Sequence, residues 1–233
     1  MAVRLVLFLD TETTGLDPSV CHCIEVAATL FDLELGSAIE SYASLIRSTD
    51  KNDAFDVNGI DSRLLELSPD PKVVWSSVNR LADYADCFVA HRADFDRSFV
   101  AAASPELASR LPWACSKFDM AWPRSRKPGE GLVHLALAHG LGVSHAHRAT
   151  SDVDTLSRLF ARAREMGHDC AKMVELALRP KGHVTALVSY EDRHLAKEAG
   201  FEWDADRKIW HRTMIIEEAA KLSFKTRIKE IQA

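Results

Sequence analysis

The chain opens with a short apolar run, rich in branched side chains, over residues 3–9. The run has no helical period and predicts a buried strand that ends at Asp10. Three further strands are predicted at 22–33, 37–47 and 87–90, the first two joined by a turn at 34–36. Helical periodicity predicts helices at 73–84, 94–103, 131–140 and 152–166. This order of strands and helices is typical of an α/β sandwich with a mixed sheet.

The pattern changes after residue 166 and indicates a second, smaller unit. Gly167, Pro180 and Gly182 surround a short helical stretch at 171–178, and we expect a domain boundary near Lys181. The remainder predicts a strand at 183–189, a helix at 191–199, a hairpin at 204–206 and a helix at 216–231. We therefore expect two domains, one over residues 1–180 and a small α+β module over residues 181–233.

Composition excludes several classes of protein. Of the 233 residues, 47% are hydrophobic and 27% are charged, which is an ordinary globular balance. No apolar run approaches the roughly 18 residues of a membrane span, so no membrane association is expected. The N-terminus lacks the pattern of a secretory signal. The five cysteines are scattered, which fits reduced thiols, and we expect a cytoplasmic protein.

The charge is unevenly distributed along the chain. The formal net charge is -5, with -6 on residues 1–180 and +1 on residues 181–233. A nucleic-acid-binding protein that depended on overall charge alone would be more basic. Any such partner must therefore be bound by local groups or by metal ions.

The first segment with candidate chemistry follows the first predicted strand. Residues 10–15 read DTETTG, and strand alternation directs Asp10 and Glu12 to the same face. Two carboxylates this close repel each other unless one is protonated or a cation lies between them. Oxygen ligands suit hard cations such as Mg²⁺ or Mn²⁺. The alternative is a pair of solvated charges at a strand end, which is the better interpretation of this motif taken singly.

The second segment follows the strand predicted at 87–90. Residues 91–99 read HRADFDRSF, so that their acids lie at the carboxyl end of a strand, where α/β sheets place functional sites. The alternative is that Asp94 and Asp96 only stabilise the N-terminus of the following helix, which is an adequate account of Asp94.

The third segment, residues 147–154, reads HRATSDVD. Ser151 and Asp154 form a capping-box pattern that predicts a helix beginning there. Asp152 then lies in the first turn and His147 in the preceding loop. A mobile histidine beside a fixed carboxylate suits a general base that must reach a water molecule. The alternative is a capping acid beside an incidental loop histidine.

Together, the three segments resemble the DEDDh family of 3′–5′ exonucleases, whose members include the epsilon proofreading subunit of bacterial DNA polymerase III and exonuclease X. The resemblance covers about residues 3–165. It implies an RNase H-like fold with a mixed five-stranded sheet flanked by helices. It also implies hydrolysis that releases nucleoside 5′-monophosphates from a 3′ end, with two Mg²⁺ or Mn²⁺ ions. By this resemblance the catalytic residues are the metal-binding acids and a general base, namely Asp10, Glu12, Asp96, Asp152 and His147.

The same resemblance implies further contacts to substrate. The expected substrate-binding residues are Thr13, Thr14, Leu16, His91, Arg92 and Phe95. Arg92 stands where the family usually has Asn, and its charged donor fork leaves the substrate preference open. Asn58 occupies a segment where relatives often have His.

Two basic or aromatic segments are candidate nucleic-acid contacts. The loop with Arg124, Arg126 and Lys127 could follow a phosphate backbone, and a solvated loop is the alternative. Residues 183–214 resemble a small module appended to primases and topoisomerases. There Trp203 and Trp210 could stack on unpaired bases, with Arg207, Lys208 and Arg212 near the backbone. The alternative, favoured for at least one tryptophan, is that these rings form the core of a small domain.

We therefore expect a metal-dependent 3′–5′ exonuclease that acts on single-stranded or frayed DNA in proofreading or repair. A DNA polymerase or another replication or repair protein is the candidate protein partner. An exoribonuclease of the same fold is the nearest alternative, since both would use the same acids. A non-catalytic nucleic-acid-binding subunit is the alternative from another class, although it would not require all four acids and the histidine.

Overall fold

The computed structural model describes residues 2–125 and 127–230. Five strands form one mixed sheet in the spatial order β3-β2-β1-β4-β5. They are β1 (Leu5–Thr13), β2 (Cys23–Asp32), β3 (Ser37–Leu45), β4 (Cys87–Ala90) and β5 (Trp113–Cys115). Strands β1, β2 and β3 pair antiparallel, whereas β4 and β5 extend the sheet in parallel from β1. The predicted mixed five-stranded sheet is confirmed.

Helices cover both faces of this sheet. They are α1 (Phe55–Asn58), α2 (Ser62–Glu66), α3 (Pro71–Ala82), α4 (Ala93–Ala103), α5 (Pro105–Arg110), α6 (Leu132–Ala138), α7 (Ala149–Glu165) and α8 (Cys170–Ala177). Because side chains alternate along β1, Phe8 packs on the α7 side, with its ring 4.9 Å from that of Phe160, while Leu7 and Leu9 pack on the α3 and α4 side. Within the described ranges, none of the helices combines the length and apolar character needed to cross a bilayer.

The first strand is longer than predicted, and this changes the setting of the first acidic motif. Strand β1 does not end at Asp10 but continues to Thr13. Its extension pairs with β2, where Asp10 lies opposite Ala27 and Glu12 opposite Glu25. The two motif acids therefore project from inside a paired strand, because the long partner β2 continues to supply backbone hydrogen bonds.

The predicted start of α7 is wrong. The helix begins at Ala149, so Ser151 lies inside its first turn and makes no capping bond. The backbone N–H of Ala149 instead donates to the Glu25 carboxylate at 3.1 Å. The acceptor at the start of α7 is therefore a side chain from β2, and not the nearby Ser151.

Four short elements escaped prediction, namely β5, α1, α2 and α5. Each has three to six residues. Segments of this length are too short to show a hydrophobic period.

The C-terminal residues form a second sheet of four strands in the order β7-β8-β6-β9. Its elements are β6 (Lys181–Ala186), α9 (Arg193–Glu198), β7 (Glu202–Asp204), β8 (Ile209–Ile215), α10 (Ile216–Ala219) and β9 (Thr226–Glu230). The predicted helix over 216–231 is wrong: α10 ends at Ala219, and β9 pairs antiparallel with β6. Alternating residues such as Ile228 and Lys229 suit a strand there, and residue 231 lies outside the described residues.

Buried polar contacts join the small sheet to the segment after β5. Lys181 Nζ lies 2.6 Å from a carboxylate oxygen of Asp119, whose side chain is 3% exposed. Arg212 Nη2 donates to the Phe118 carbonyl oxygen at 2.5 Å, and its Nη1 donates to that of Ala199 at 2.7 Å. The division into two domains near Lys181 stays a prediction.

Candidate active site

Three carboxylates form a compact cluster at the carboxyl end of β1. Asp10 and Glu12 project from one face of the strand, and Asp152 faces them from the first turn of α7. Each supplies one carboxylate oxygen, and these three oxygens lie within 4.8 Å of one another. The set is half-buried and consists of oxygen ligands only, so it fits a hard divalent cation.

Asp96 lies beside this cluster on helix α4 and is almost fully buried. One of its oxygens accepts hydrogen bonds from the backbone N–H of Thr11, at 3.0 Å, and from the Thr11 hydroxyl, at 2.9 Å. These bonds hold the carboxylate against the strand that bears Asp10 and Glu12.

Burial and mutual repulsion raise the pKa of each of these acids. Burial, followed by repulsion from Asp96, raises the pKa of Asp10 well above its usual value. Burial and then the charge of Asp152 raise the pKa of Glu12 to about 8. Burial raises the pKa of Asp96 to about 7, against the opposing hydrogen bonds from Thr11. Burial also raises the pKa of Asp152. Full ionisation is therefore unfavourable, and a bound cation would offset it.

His147 lies in the loop just before α7 and is exposed. Its backbone has φ = +62°, in the left-handed region that side chains other than glycine rarely adopt. Its N–H donates to a carboxylate oxygen of Asp152 at 3.2 Å. The histidine backbone and the acid are thus held together, while the imidazole stays accessible to the solvent.

An ion pair between a half-buried arginine and a buried glutamate, which sequence reasoning missed, supports this loop. Glu25 on β2 is 3% exposed. Its two oxygens accept from Arg148 Nε at 3.0 Å and Nη2 at 2.8 Å, and one also accepts from the Ala149 N–H. The available signal was an acid inside a predominantly apolar strand, CIEVAATLFD, whose other acid, Asp32, is its last residue.

All five residues expected to be catalytic line one cleft of about 750 Å³. The six expected substrate-binding residues line the same cleft: Thr13, Thr14, Leu16, His91, Arg92 and Phe95. Leu16 is 81% exposed, as suits a residue at the mouth of a cleft. The lining residues that the sequence did not single out include Asp53, Val57 and Lys117.

Two of the lining residues, His91 and Asn58, have clear structural partners. His91 Nδ1 lies 3.0 Å from the Ser116 hydroxyl, and its Nε2 lies 3.0 Å from the Glu130 carbonyl oxygen. Burial, followed by the charge of Lys117, lowers the pKa of His91 to about 4, so the ring is neutral at pH 7. Asn58 Nδ2 donates to the Thr13 carbonyl oxygen at 3.1 Å.

Among the residues that the structure describes, the remaining candidate contacts do not line this cleft. Arg124 Nη1 donates to the Ala138 carbonyl oxygen, Lys127 is exposed, and Arg126 lies outside the described residues.

In the small sheet Trp203 is 50% exposed, whereas Trp210 is half-buried against the core of that sheet. Trp203 is thus accessible at the surface, whereas Trp210 contributes to the core of the small sheet. Arg207 and Lys208 are exposed in the hairpin.

The fold and the acidic cluster together define an α/β protein of the RNase H-like class. A family model described as "Exonuclease" matches residues 7–160, more than half of the chain, so the chain belongs to the exonuclease family. A second model, described as a domain of unknown function (DUF8626), matches residues 183–228.

A curated relative agrees with this assignment. The chain is 28% identical over 174 residues to the 3'-5' exonuclease DinG of Staphylococcus aureus (strain bovine RF122 / ET3-1). That match covers 71% of this chain and 19% of DinG, so the chain spans about a fifth of the length of the curated relatives it matches.

Solved structures share the fold at low identity. Exonuclease X in complex with 5' overhanging duplex DNA is 21% identical, with a TM-score of 0.55, over 74% of this chain and 99% of that chain. The nuclease domain of 3'hExo, a DEDDh family member bound to rAMP, is 15% identical, with a TM-score of 0.57, over 71% of this chain and 94% of that chain.

Proposed function

We propose that this protein is a metal-dependent 3′–5′ exonuclease that hydrolyses DNA from the 3′ end and releases nucleoside 5′-monophosphates. One observation carries the proposal: the carboxylate oxygens of Asp10, Glu12 and Asp152 lie within 4.8 Å of one another, in a cleft also lined by Asp96 and His147. Membership of the exonuclease family supports it.

The four acids would hold two divalent ions, Mg²⁺ or Mn²⁺. The fit rests on the donor set, which is all oxygen, and on the raised pKa values that record an unbalanced negative charge. Bound there, such ions supply the positive charge that favours ionisation of an attacking water and offsets the negative charge of the scissile phosphate. This also explains how a chain of net charge -5 could act on a polyanion.

His147 would act as the general base. Its imidazole is exposed at the cleft, so one ring nitrogen can accept a proton from the attacking water and pass it to solvent. The backbone bond to Asp152 and the neighbouring Arg148–Glu25 pair keep the residue at the cleft while leaving the ring able to turn.

The terminal nucleotide would lie between two walls. Thr13, Thr14 and Leu16 form one, and Arg92 and Phe95 belong to the other. DNA, single-stranded or frayed at the 3′ end, is the proposed substrate. RNA is the second candidate, because the acids act on the phosphodiester and the 3'hExo nuclease domain carries rAMP.

The cellular setting belongs to the same proposal. A role in proofreading or DNA repair is proposed, with a DNA polymerase or another replication or repair protein as partner, and the match to relatives named as exonucleases is compatible with it. All five cysteines are free, which supports a cytoplasmic location.

A direct assay tests this function. Single-stranded DNA and RNA of one sequence, labelled at the 5′ end, are incubated with Mg²⁺, Mn²⁺ or a chelator. We expect a ladder that shortens from the 3′ end, mononucleotide products, and no cleavage with chelator.

The matched variants are Asp152→Asn and Asp154→Asn. Both lie on α7, but Asp154 is exposed and pairs with Arg158 at 3.6 Å. Only Asp152→Asn should abolish cleavage. Shortening from the 5′ end, or full activity of Asp152→Asn, would overturn the proposal, and nucleic-acid binding without any cleavage would favour the non-catalytic alternative.

A further inference from the structure

A second cavity, of about 280 Å³, lies between the two sheets. Phe95 on helix α4 and Arg92, the residue just before that helix, line this cavity on one side. His211 and Thr213 on β8 line the other side. Arg92 and Phe95 also line the cleft that holds the acids. The two cavities therefore adjoin at these two residues, and the small sheet lines the second of them.

The relation between the two sheets depends on contacts that are buried. The Lys181–Asp119 ion pair and the bond from Arg212 to the Phe118 carbonyl both cross the junction. Removing one partner from a buried ion pair is strongly destabilising, so the pair favours a fixed arrangement.

Strand pairing shows which residues share a face with His211 and Thr213. Directly paired residues of antiparallel strands project to the same side of a sheet. Between β6 and β8, Thr185 pairs with His211 and His183 with Thr213. Between β6 and β9, Thr185 pairs with Arg227 and His183 with Lys229. We call this set the outer face: His183, Thr185, His211, Thr213, Arg227 and Lys229.

The opposite face of the same strands contributes to the hydrophobic core of the small sheet. Val184, Ala186 and Met214 are buried there. Trp203 and Trp210 pair with each other one position away from the Glu202–His211 pair, so they project to that opposite side. The outer face, in contrast, is polar and exposed at four of its six positions: His183, His211, Arg227 and Lys229.

The charge of this surface changes from one edge to the other. Arg227 and Lys229 are on edge strand β9, and neither forms an ion pair with any residue that the structure describes. Glu202 on edge strand β7 and Asp94 on α4 line the cavity near the cleft. A nucleic-acid strand matches this pattern, because its bases offer N–H donors to carboxylates and its phosphates pair with Lys and Arg.

We propose that the outer face binds the single-stranded segment of the substrate on the 5′ side of the nucleotide being removed. This inference rests on the proposed function and extends it. Strand β9 lies two strand spacings from β8, about 10 Å, which is roughly the length of three stacked nucleotides. A strand that leaves the acid cleft past Arg92 would thus cross His211 and Thr213 before reaching Arg227 and Lys229.

The experiment removes the two free charges from the intact chain. Binding of a 5′-fluorescent 20-nucleotide oligothymidylate is measured by anisotropy in chelator, for the wild type and for Arg227→Ala/Lys229→Ala. We expect the Kd to rise about tenfold at 0.1 M salt, and the slope of log K against log salt to lose about 1.4. Both side chains are exposed, so the thermal midpoint should not move.

The matched control is Lys197→Ala/Lys221→Ala, which removes two exposed charges of the same module. Lys197 lies on α9 and Lys221 follows α10, the helices whose Ala196 and Ala219 pack with Val184 on the opposite face. This control should bind like the wild type.

The inference is overturned if Arg227→Ala/Lys229→Ala binds normally, if the control loses as much affinity, or if only Arg207→Ala/Lys208→Ala in the hairpin weakens binding. Cleavage by the wild type with Mg²⁺ is scored separately, so failure of the exonuclease proposal is seen independently.

Discussion

Arg148 and Glu25 form a two-pronged ion pair that joins the active-site loop to the central sheet. Arg148 donates from Nε and Nη2, at 3.0 and 2.8 Å, to the two oxygens of a glutamate that is 3% exposed. The same carboxylate accepts from the first N–H of helix α7. Since His147 immediately precedes Arg148, this pair determines where the loop enters the cleft.

Glu25→Gln tests this positioning role. The amide keeps the volume but can no longer accept from Arg148 at both atoms, so His147 should lose its fixed approach. We expect kcat to fall about tenfold to a hundredfold with KM within about threefold, and a stability loss of about 1–3 kcal/mol. Glu40→Gln, at an exposed ion pair with Arg80, is the control. A Glu25→Gln enzyme with the kcat of the wild type would contradict the positioning role.

His147→Asn tests the proposed general base. Asn tolerates a positive φ but cannot take up the proton, so kcat should fall by about 10²–10⁴ while the Mg²⁺ concentration for half-maximal activity stays the same. His145→Asn, an exposed histidine of the same loop that does not line the cleft, is the control and should stay active. If the two variants were equally active, His147 would not be the base.

The acid cluster predicts that the stability of the protein depends on pH and that a bound metal ion weakens this dependence. Folded Glu12 and Asp96 have pKa values of about 8 and 7, above the ordinary values of 4.5 and 3.8. The folded protein therefore keeps protons that the unfolded chain releases, and stability is lost as pH rises from about 4 to 8.

Thermal unfolding measures this effect directly. Without divalent ions the midpoint should fall between pH 5.5 and 8.5, and Mg²⁺ at about one hundred times its Kd should restore about 2.7 kcal/mol at the higher pH. Asp10→Asn should reduce both effects. If the thermal midpoint of the metal-free protein instead rises from pH 5.5 to 8.5, the acids of the cluster do not have raised pKa values in the folded protein.

Arg92→Asn tests the residue at the junction of the two cavities. Its guanidinium lies 5.7 Å from the Phe95 ring centroid and lines both cavities. Removing its charge should raise KM for a 20-nucleotide DNA about threefold to tenfold, with a smaller change in kcat. Arg97→Asn, which is exposed on the same helix, should have no such effect. An unchanged KM for Arg92→Asn would exclude a substrate contact at this position.

The sequence predicted those elements whose hydrophobic pattern is visible within the segment itself. Strands β2 and β4 and helix α4 are bounded nearly as expected, because continuous apolar runs and helical periods reflect burial directly. The three acidic segments could likewise be found because each follows a strand or opens a helix. Their convergence in one cleft follows from the order of β1, β4 and α7 in the fold.

The features that were missed depend on partners distant in sequence. β1 extends to Thr13 because β2 pairs with it, and α7 begins early because Glu25 accepts its first N–H. Segment 226–230 becomes a strand because β6 offers a free edge. Local propensity does not encode these partners, so the role of Glu25 emerged only from the structure.

The most direct test of the acid cluster is anomalous X-ray diffraction from crystals soaked in Mn²⁺. The account predicts anomalous density between the carboxylate oxygens of Asp10, Glu12 and Asp152, lost in Asp152→Asn and kept in Asp154→Asn. Crystals that bind Mn²⁺ elsewhere but show none among these oxygens would contradict it.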